Sequence, residues 1–293
     1  MKEKISVSKI LAYAILFALA ISCIAPITVL LSVSVSKISD IYENGYRFIP
    51  RTFSLDAYKY ILSGSGQLLG AYWVTIRVVV IGTVAGLLIM SMMAYGMSRK
   101  DFKYRQYFAF FVFFTMLFQA GMVPRYILIS NYLHMKNTIW VLIVPMLANA
   151  WHIMMLRTYF SSLPEEVMQA AKIDGCGELR AFFVIAIPMT KPALATVGLL
   201  TALHYWNDWW LALMYIEQDN LVPLNYLLYR TMSNLEELNR QAMEMGTAAE
   251  LGDFPSESVR MAMAAAASIP MLLIFPFFQK YFSKGLTVGA VKG

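Results

Sequence analysis

Charge is what this sequence has least of. Only 14% of its 293 residues are Asp, Glu, Lys or Arg, and 59% are hydrophobic. A soluble domain is usually nearer a quarter charged and half apolar, so a soluble all-α protein is a poor fit. Cysteine is also scarce: Cys23 and Cys176 stand far apart and make neither a disulfide framework nor a metal-ligand spacing. The three histidines, His134, His152 and His204, form no HExxH and no nucleophile–base pattern, which argues against a membrane enzyme. The chain has no GxxxxGK[ST] phosphate loop, so it does not bring its own ATPase. It also has no basic run interleaved with aromatics, so the net charge of +6 does not point to nucleic acid.

What the chain does have is long apolar runs. These predict an all-α integral membrane protein with six spans near 10–35, 68–97, 106–131, 138–159, 189–216 and 261–283, forming one transmembrane domain over 1–293. Gly121 and Pro124 interrupt the third run and predict a bend there. Cys23 follows an apolar stretch that resembles a lipoprotein signal. The stretch continues to about Val35, however, and reads as an uncleaved first helix.

Basic residues set the direction. Lys2, Lys4 and Lys9 precede the first span, and Arg99, Lys100, Lys103 and Arg105 crowd the turn after the second. Arg157, Lys172, Arg180 and Lys191 lie between the fourth and fifth, and Lys280, Lys284 and Lys292 end the chain. With six spans all four groups share one side, which the positive-inside rule makes the cytoplasm, so both termini are expected inside. The 217–260 loop is then extracytoplasmic. It carries Glu236, Glu237, Glu244, Glu250, Asp253 and Glu257, a stretch expected to be a solvated outer face.

The cytoplasmic loop 161–192 reads SSLPEEVMQAAKIDGCGELRAFFVIAIPMTKP. Its start has the chemistry of a helix N-terminus. Ser162 is placed to cap, Pro164 lies in the first turn, and Glu165 holds the reciprocal capping-box position with Glu166 beside it. Val167, Ala170, Ala171 and Ile173 give a small apolar contact face. Gly175 sits where a helix ends in a left-handed residue, and a second helix is expected from about Gly177 until Pro188 interrupts it.

The spacing of this loop resembles the EAA loop of ABC-type importer permeases, with Gln169, Ala170 and Ala171, then Asp174, Gly175 and Cys176, then Ile185, Ile187 and Pro188. The register fits without a gap. Gln169 replaces Glu, Cys176 replaces Ala and Ile187 replaces Leu. Residues 117–145, 204–216 and 269–293 are similar to carbohydrate-uptake permeases of the maltose-permease type, closest to the branch associated with complex oligosaccharides. The resemblance implies a type I importer permease of the bacterial inner membrane, working by alternating access. Its loop would be a coupling helix docked in an ATPase cleft through Glu165, Glu166, Gln169, Ala170, Ala171, Asp174, Gly175 and Pro188. It also implies a second homologous permease, two ATPase subunits that bind ATP and Mg, and an extracytoplasmic sugar-binding protein. The cargo would be an oligosaccharide, including acidic ones derived from alginate or pectin.

Polar residues within a span are costly and tend to face a cavity or one another. Span five carries His204, Trp206, Asn207, Asp208, Trp209 and Trp210, and span two carries Arg77. Counted from the outer ends, Arg77 and Asp208 both lie roughly 10–12 Å deep, which permits a pair. Two readings stay open: a sugar site of stacking indoles with Asn and Asp acceptors, or an interfacial aromatic belt with a structural ion pair. On the first reading Arg77 is also a candidate for the carboxylate of an acidic sugar. Tyr126, Asn131 and His134 are weaker candidates. A secondary transporter needs intramembrane carboxylates for its ion, and Asp208 alone is available.

Overall fold

The computed structural model describes residues 7–63, 67–245 and 256–290, and its regular structure there is helical apart from one isolated bridge between Ser36 and Phe53. The chain divides into two units, residues 1–68 with 228–270, and residues 69–227 with 271–293.

The first unit opens with α1 (Val7–Ser34), an apolar helix whose 18-residue membrane-length window is wholly exposed. Two short helices follow, α2 (Ile38–Asn44) and α3 (Asp56–Ser63). The Ser34 and Tyr58 hydroxyls meet at 3.0 Å, and Tyr46 donates to Glu257 at 2.9 Å. That second bond, followed by burial, raises the Tyr46 phenol above its ordinary pKa. Arg260 pairs with Glu257 at 3.4 Å and Glu236 at 3.8 Å.

The second unit is built around α4 (Gln67–Ser98), an apolar helix of 32 residues. At 1.5 Å per residue that is about 48 Å, longer than a membrane's hydrocarbon core. Two glycines at i,i+4 let neighbours approach it. A Cβ on Gly82 would lie 2.5 Å from the Tyr205 ring, and one on Gly86 would lie 3.1 Å from the Leu147 carbonyl oxygen. Small residues spaced this way bring membrane helices into van der Waals contact where no hydrophobic drive exists between them. Tyr205 is fixed at its other end by donating to the Ile143 carbonyl at 2.9 Å.

Three bent helix pairs follow in sequence. α5 (Arg105–Leu117) gives way to α6 (Met122–Ile127) and a π turn Leu128–Tyr132, with a 113° bend. Gly121, at φ +82°, makes the bend, whereas Pro124 falls in the first turn of α6, where its missing N–H costs little. α7 (Trp140–Ile143), a 3-10 turn Val144–Met146 and α8 (Ala150–Ser161) bend by 49°, and Asn149 caps α8 by accepting from the His152 N–H at 3.1 Å. After α9 (Glu165–Ile173), α10 (Glu178–Ala181) runs through a π turn Phe182–Ala186 into α11 (Ile187–Met189). It then meets α12 (Lys191–Asn207) at 85°.

Pro188 does not end the second helix of the loop. The π turn widens the ladder so that the Ile187 N–H reaches the Phe182 carbonyl, and Pro188 sits in the opening turn of α11. The chain turns two residues later, at Thr190, whose hydroxyl donates back to Ala186 at 2.7 Å. α13 (Trp210–Tyr215) completes this stretch. Phe182, Met90 and Leu156 are buried at the centre of the unit, where α4, α8 and α12 share one apolar cluster.

The 217–260 segment is more than a loop, because α14 (Leu224–Met245) runs through most of it and α15 (Ser256–Ala290) begins before its end. α14 is amphipathic and stitched by Arg240 to Glu237 and Glu244 at 2.7 and 3.1 Å. Its charged face hides it from a search for apolar runs. Glu250 and Asp253 lie outside the described residues. By length and composition α1, α4 and the start of α15 are each able to cross a membrane, and the three bent pairs bring the number to six if each is one span.

Candidate functional site

The 161–192 loop presents α9 as a helix with two faces. Met168 and Ala171 are buried, while Val167, Gln169 and Ala170 are exposed and Ile173 is 86% exposed. It is the most exposed of the large hydrophobic side chains among the described residues. It leaves an apolar tip beside Asp174 and Gly175, both also exposed. Ala171 therefore belongs to the inward face and not to the outward one with Val167, Ala170 and Ile173. Gly175 has φ +75° with no atom near its Cβ position, so the backbone conformation, not crowding, selects glycine. Ser162 does not cap α9. Its hydroxyl donates back to the Tyr159 carbonyl at 2.8 Å at the end of α8, and Pro164 stands at the N-cap.

Glu165 is engaged elsewhere, forming a salt bridge with Lys100 in the turn after α4. That turn holds the loop at three points. Lys172 reaches Asp101 at 3.4 Å, and Arg99 pairs with Asp101 and with Glu178 at 3.3 Å each. Tyr95 also donates to Glu178 at 3.0 Å, and Arg157 donates to the Met97 carbonyl at 3.3 Å. The Lys100 ammonium holds Glu165 below the usual carboxylate range. Burial pushes Asp101 upward, but Arg99 and then Lys172 overcome it, so Asp101 also lies low. A cavity of about 270 Å³ runs between the turn and α9, lined by Lys100, Asp101, Glu165, Gln169 and Lys172 among others. In the sequence alone, Arg99 and Lys100 mark only one side of the membrane. The pairs span 65 to 79 residues of chain, which no local pattern reveals.

At the far end of α12 the span-five candidates separate. Trp206 is buried, 5% exposed, and its carbonyl accepts from Asn225. His204 and Asn207 lie exposed on one helix face, with the Asn207 amide donating to the Leu203 carbonyl at 2.9 Å. Asp208 stands in extended backbone between α12 and α13, and its carboxylate accepts from the Leu211 N–H at 3.3 Å. Trp209 and Trp210 meet edge to face at 5.7 Å. Arg77 makes no ion pair with Asp208. Its guanidinium lies over Trp73, 5.6 Å from the ring centroid, with Nε unpartnered. Asp208 does not sit at the depth of a continuous helix, because it stands in extended backbone after the end of α12.

His152 is buried, its Nδ1 3.3 Å from the Thr201 hydroxyl. Tyr126 stacks on Tyr215 at 5.4 Å, Asn131 is exposed, and His134 adopts φ +50° in the turn before α7. Beside these residues, Lys136 pairs with Glu217 at 2.6 Å, which raises the lysine pKa and lowers the carboxylate's. Among the described residues no cluster of three or more His, Cys, Asp or Glu is placed to hold a metal.

Residues 86–288 match the family described as binding-protein-dependent transport system inner membrane component. The polygalacturonan/rhamnogalacturonan transport system permease protein YtcP of Bacillus subtilis is 36% identical, over 97% of each chain. The arabinooligosaccharides transport system permease protein AraQ of Halalkalibacterium halodurans is 29% identical, over 94% of this chain and 93% of its own. Among solved structures, a chain of a bacterial ABC transporter involved in the import of the acidic polysaccharide alginate superposes with a TM-score of 0.82 at 28% identity, covering 96% of this chain and 99% of that one. The chain therefore belongs to the binding-protein-dependent transport system inner membrane components, as a multi-pass permease subunit of an ABC importer whose nucleotide is bound by a partner ATPase.

Proposed function

We propose that this permease imports oligosaccharides, acidic ones of pectin or alginate type included, and that its α9 tip is the surface on which a partner ATPase acts. The single observation that carries the coupling role is the bare apolar tip of α9, Ile173 with Ala170 and Gly175, on a helix pinned to the permease by the Arg99–Asp101 turn. The cargo class rests on the relatives, whose names specify polygalacturonan/rhamnogalacturonan and arabinooligosaccharides, and on the alginate importer.

In this reading the three bent pairs and three long helices make six spans, with both termini and the 161–192 loop in the cytoplasm and the 217–260 segment outside. The chain pairs with a second homologous permease, two ATPase subunits and an extracytoplasmic sugar-binding protein. ATP-driven closure of the ATPases moves α9. The salt bridges carry that motion into the turn after α4, and the apolar cluster shared by α4, α8 and α12 conveys it across the membrane, opening the cavity outward. Glu165 serves this path from inside the permease, while Gln169, Ala170, Asp174 and Gly175 face the ATPase.

The test is reconstitution of the four-component complex in liposomes, with ATP hydrolysis measured against added oligogalacturonide and binding protein. The expected result is hydrolysis stimulated by sugar-loaded binding protein, together with uptake. Uptake driven by a proton gradient without ATP overturns the proposal.

A further inference from the structure

One cavity of the second unit has no part in the coupling path. It encloses about 590 Å³ between α6 and α13 and is lined by Gln119, Arg125, Leu128, Trp210, Met214 and Tyr215 among others. Its volume falls within the roughly 300–1,000 Å³ range of small-molecule sites. Arg125 supplies its positive charge, and this guanidinium makes no ion pair or side-chain hydrogen bond among the described residues. The contrast with Arg99 is direct, since Arg99 holds two carboxylates. Two acids flank α13: Glu217 is paired with Lys136, and Asp208, which accepts from the Leu211 N–H, is within electrostatic reach of Arg125 but forms no salt bridge with it.

Two of the wall side chains, Trp210 and Tyr215, are aromatic. Tyr215 is held flat by stacking on Tyr126 at 14° between planes, and Trp210 is 43% exposed with its edge fixed against Trp209. An indole face suits the C–H face of a pyranose, an amide such as Gln119 suits hydroxyls, and a forked guanidinium suits a carboxylate held by two parallel N–H bonds.

We infer that Arg125 and Trp210 form a uronate subsite, in which the guanidinium takes the carboxylate of an acidic sugar residue while the indole stacks on its ring. The subsite rests on the oligosaccharide reading above and deepens it, making Arg125 rather than Arg77 the residue that distinguishes acidic from neutral cargo. The same guanidinium chemistry suits the phosphate of a lipid headgroup, so the lipid composition has to be varied.

The experiment uses the reconstituted complex and compares uptake of digalacturonate with that of its uncharged methyl ester, for wild type, Arg125→Gln and Arg125→Lys. Loss of a charge-assisted pair predicts about a 10-fold or larger fall in digalacturonate uptake at low concentration for Arg125→Gln. The ester should stay within about 2-fold, which also shows that the variant is folded, and Arg125→Lys should recover part of the loss. Equal loss on acid and ester overturns the subsite, as does a loss that vanishes when anionic lipids are replaced by neutral ones. Wild type that imports the ester but not the acid overturns the subsite together with the acidic-cargo reading. Wild type that imports the acid normally, with Arg125→Gln unchanged, overturns the subsite alone.

Discussion

The two ends of the second unit use charge in opposite ways. Around α9, Arg99, Lys100, Asp101, Glu165, Lys172 and Glu178 all pair with one another. Around α6 and α13, Arg125 lines a cavity beside Trp210 and Tyr215 and forms no salt bridge among the described residues, with Asp208 only within electrostatic reach. Satisfied charge suits a joint that must keep its shape while a partner pushes on it. An unsatisfied cation suits a place where a visitor brings the counter-charge. The two ends are joined by α12, whose 17 residues span about 25 Å, and by the Gly82–Tyr205 contact that seats α12 on α4.

Breaking the connection is expected to have the largest effect. Gly82→Leu drives a branched side chain into the Tyr205 ring, and the permease should fail to accumulate as an assembled complex, read by co-purification with the ATPase. Next comes the α9 tip. Ile173→Asp places a charge where an apolar side chain is to be covered, a loss of about 2 kcal/mol from the buried surface alone and hence more than 10-fold in affinity for the ATPase. Pull-down with the ATPase reads the loss directly, while an unchanged melting profile of the permease alone shows that the site is a contact surface and not a core.

Reversing the tether should act more gently. Lys100→Glu is expected to lower sugar-stimulated ATP hydrolysis several-fold, and Glu165→Lys added to it should restore the activity. Such pairs are exposed and add little stability singly, so restoration by the swap points to positioning. Raising the salt concentration should weaken wild-type coupling in the same direction.

The smallest effect is on pH. Glu165 and Asp101 both have depressed pKa values in the folded protein. Their stabilisation is therefore fully present above the unfolded carboxylate range, about 3.9–4.3, and fades as pH falls through the lower folded values. The melting temperature of the purified permease should be flat from pH 8 to about 5 and then fall. Glu165→Gln should show a shallower fall than wild type.

The sequence revealed the two ends unequally. Helix α9, the turn at Gly175 and the restart after Gly177 follow from local chemistry: a proline at a helix start, a glycine in left-handed backbone, acids in a first turn. The division of α9 into faces did not follow, because Ala170 and Ala171 are chemically alike and only packing separates them. The tether has no local signature because its partners are distant in sequence. A glycine pair at i,i+4, Gly82 and Gly86, is the readable sign of the close helix contact. At the other end, a straight helix would place Arg77 opposite Asp208, and the break at Asp208 removes that geometry. Arg125 could not stand out in sequence, as an arginine after a proline carries no signature until the aromatic walls are assembled around it.

The central claim is that the outward face of α9 is the ATPase contact. Photo-crosslinking measures this directly, with benzoylphenylalanine placed at Ile173 and, as a control, at Met168 on the buried face of the same helix. In a transport-competent complex, position 173 should form an adduct with the ATPase subunit and position 168 should not. A complex that transports normally while position 173 crosslinks only to lipid or to the permease itself would contradict the account.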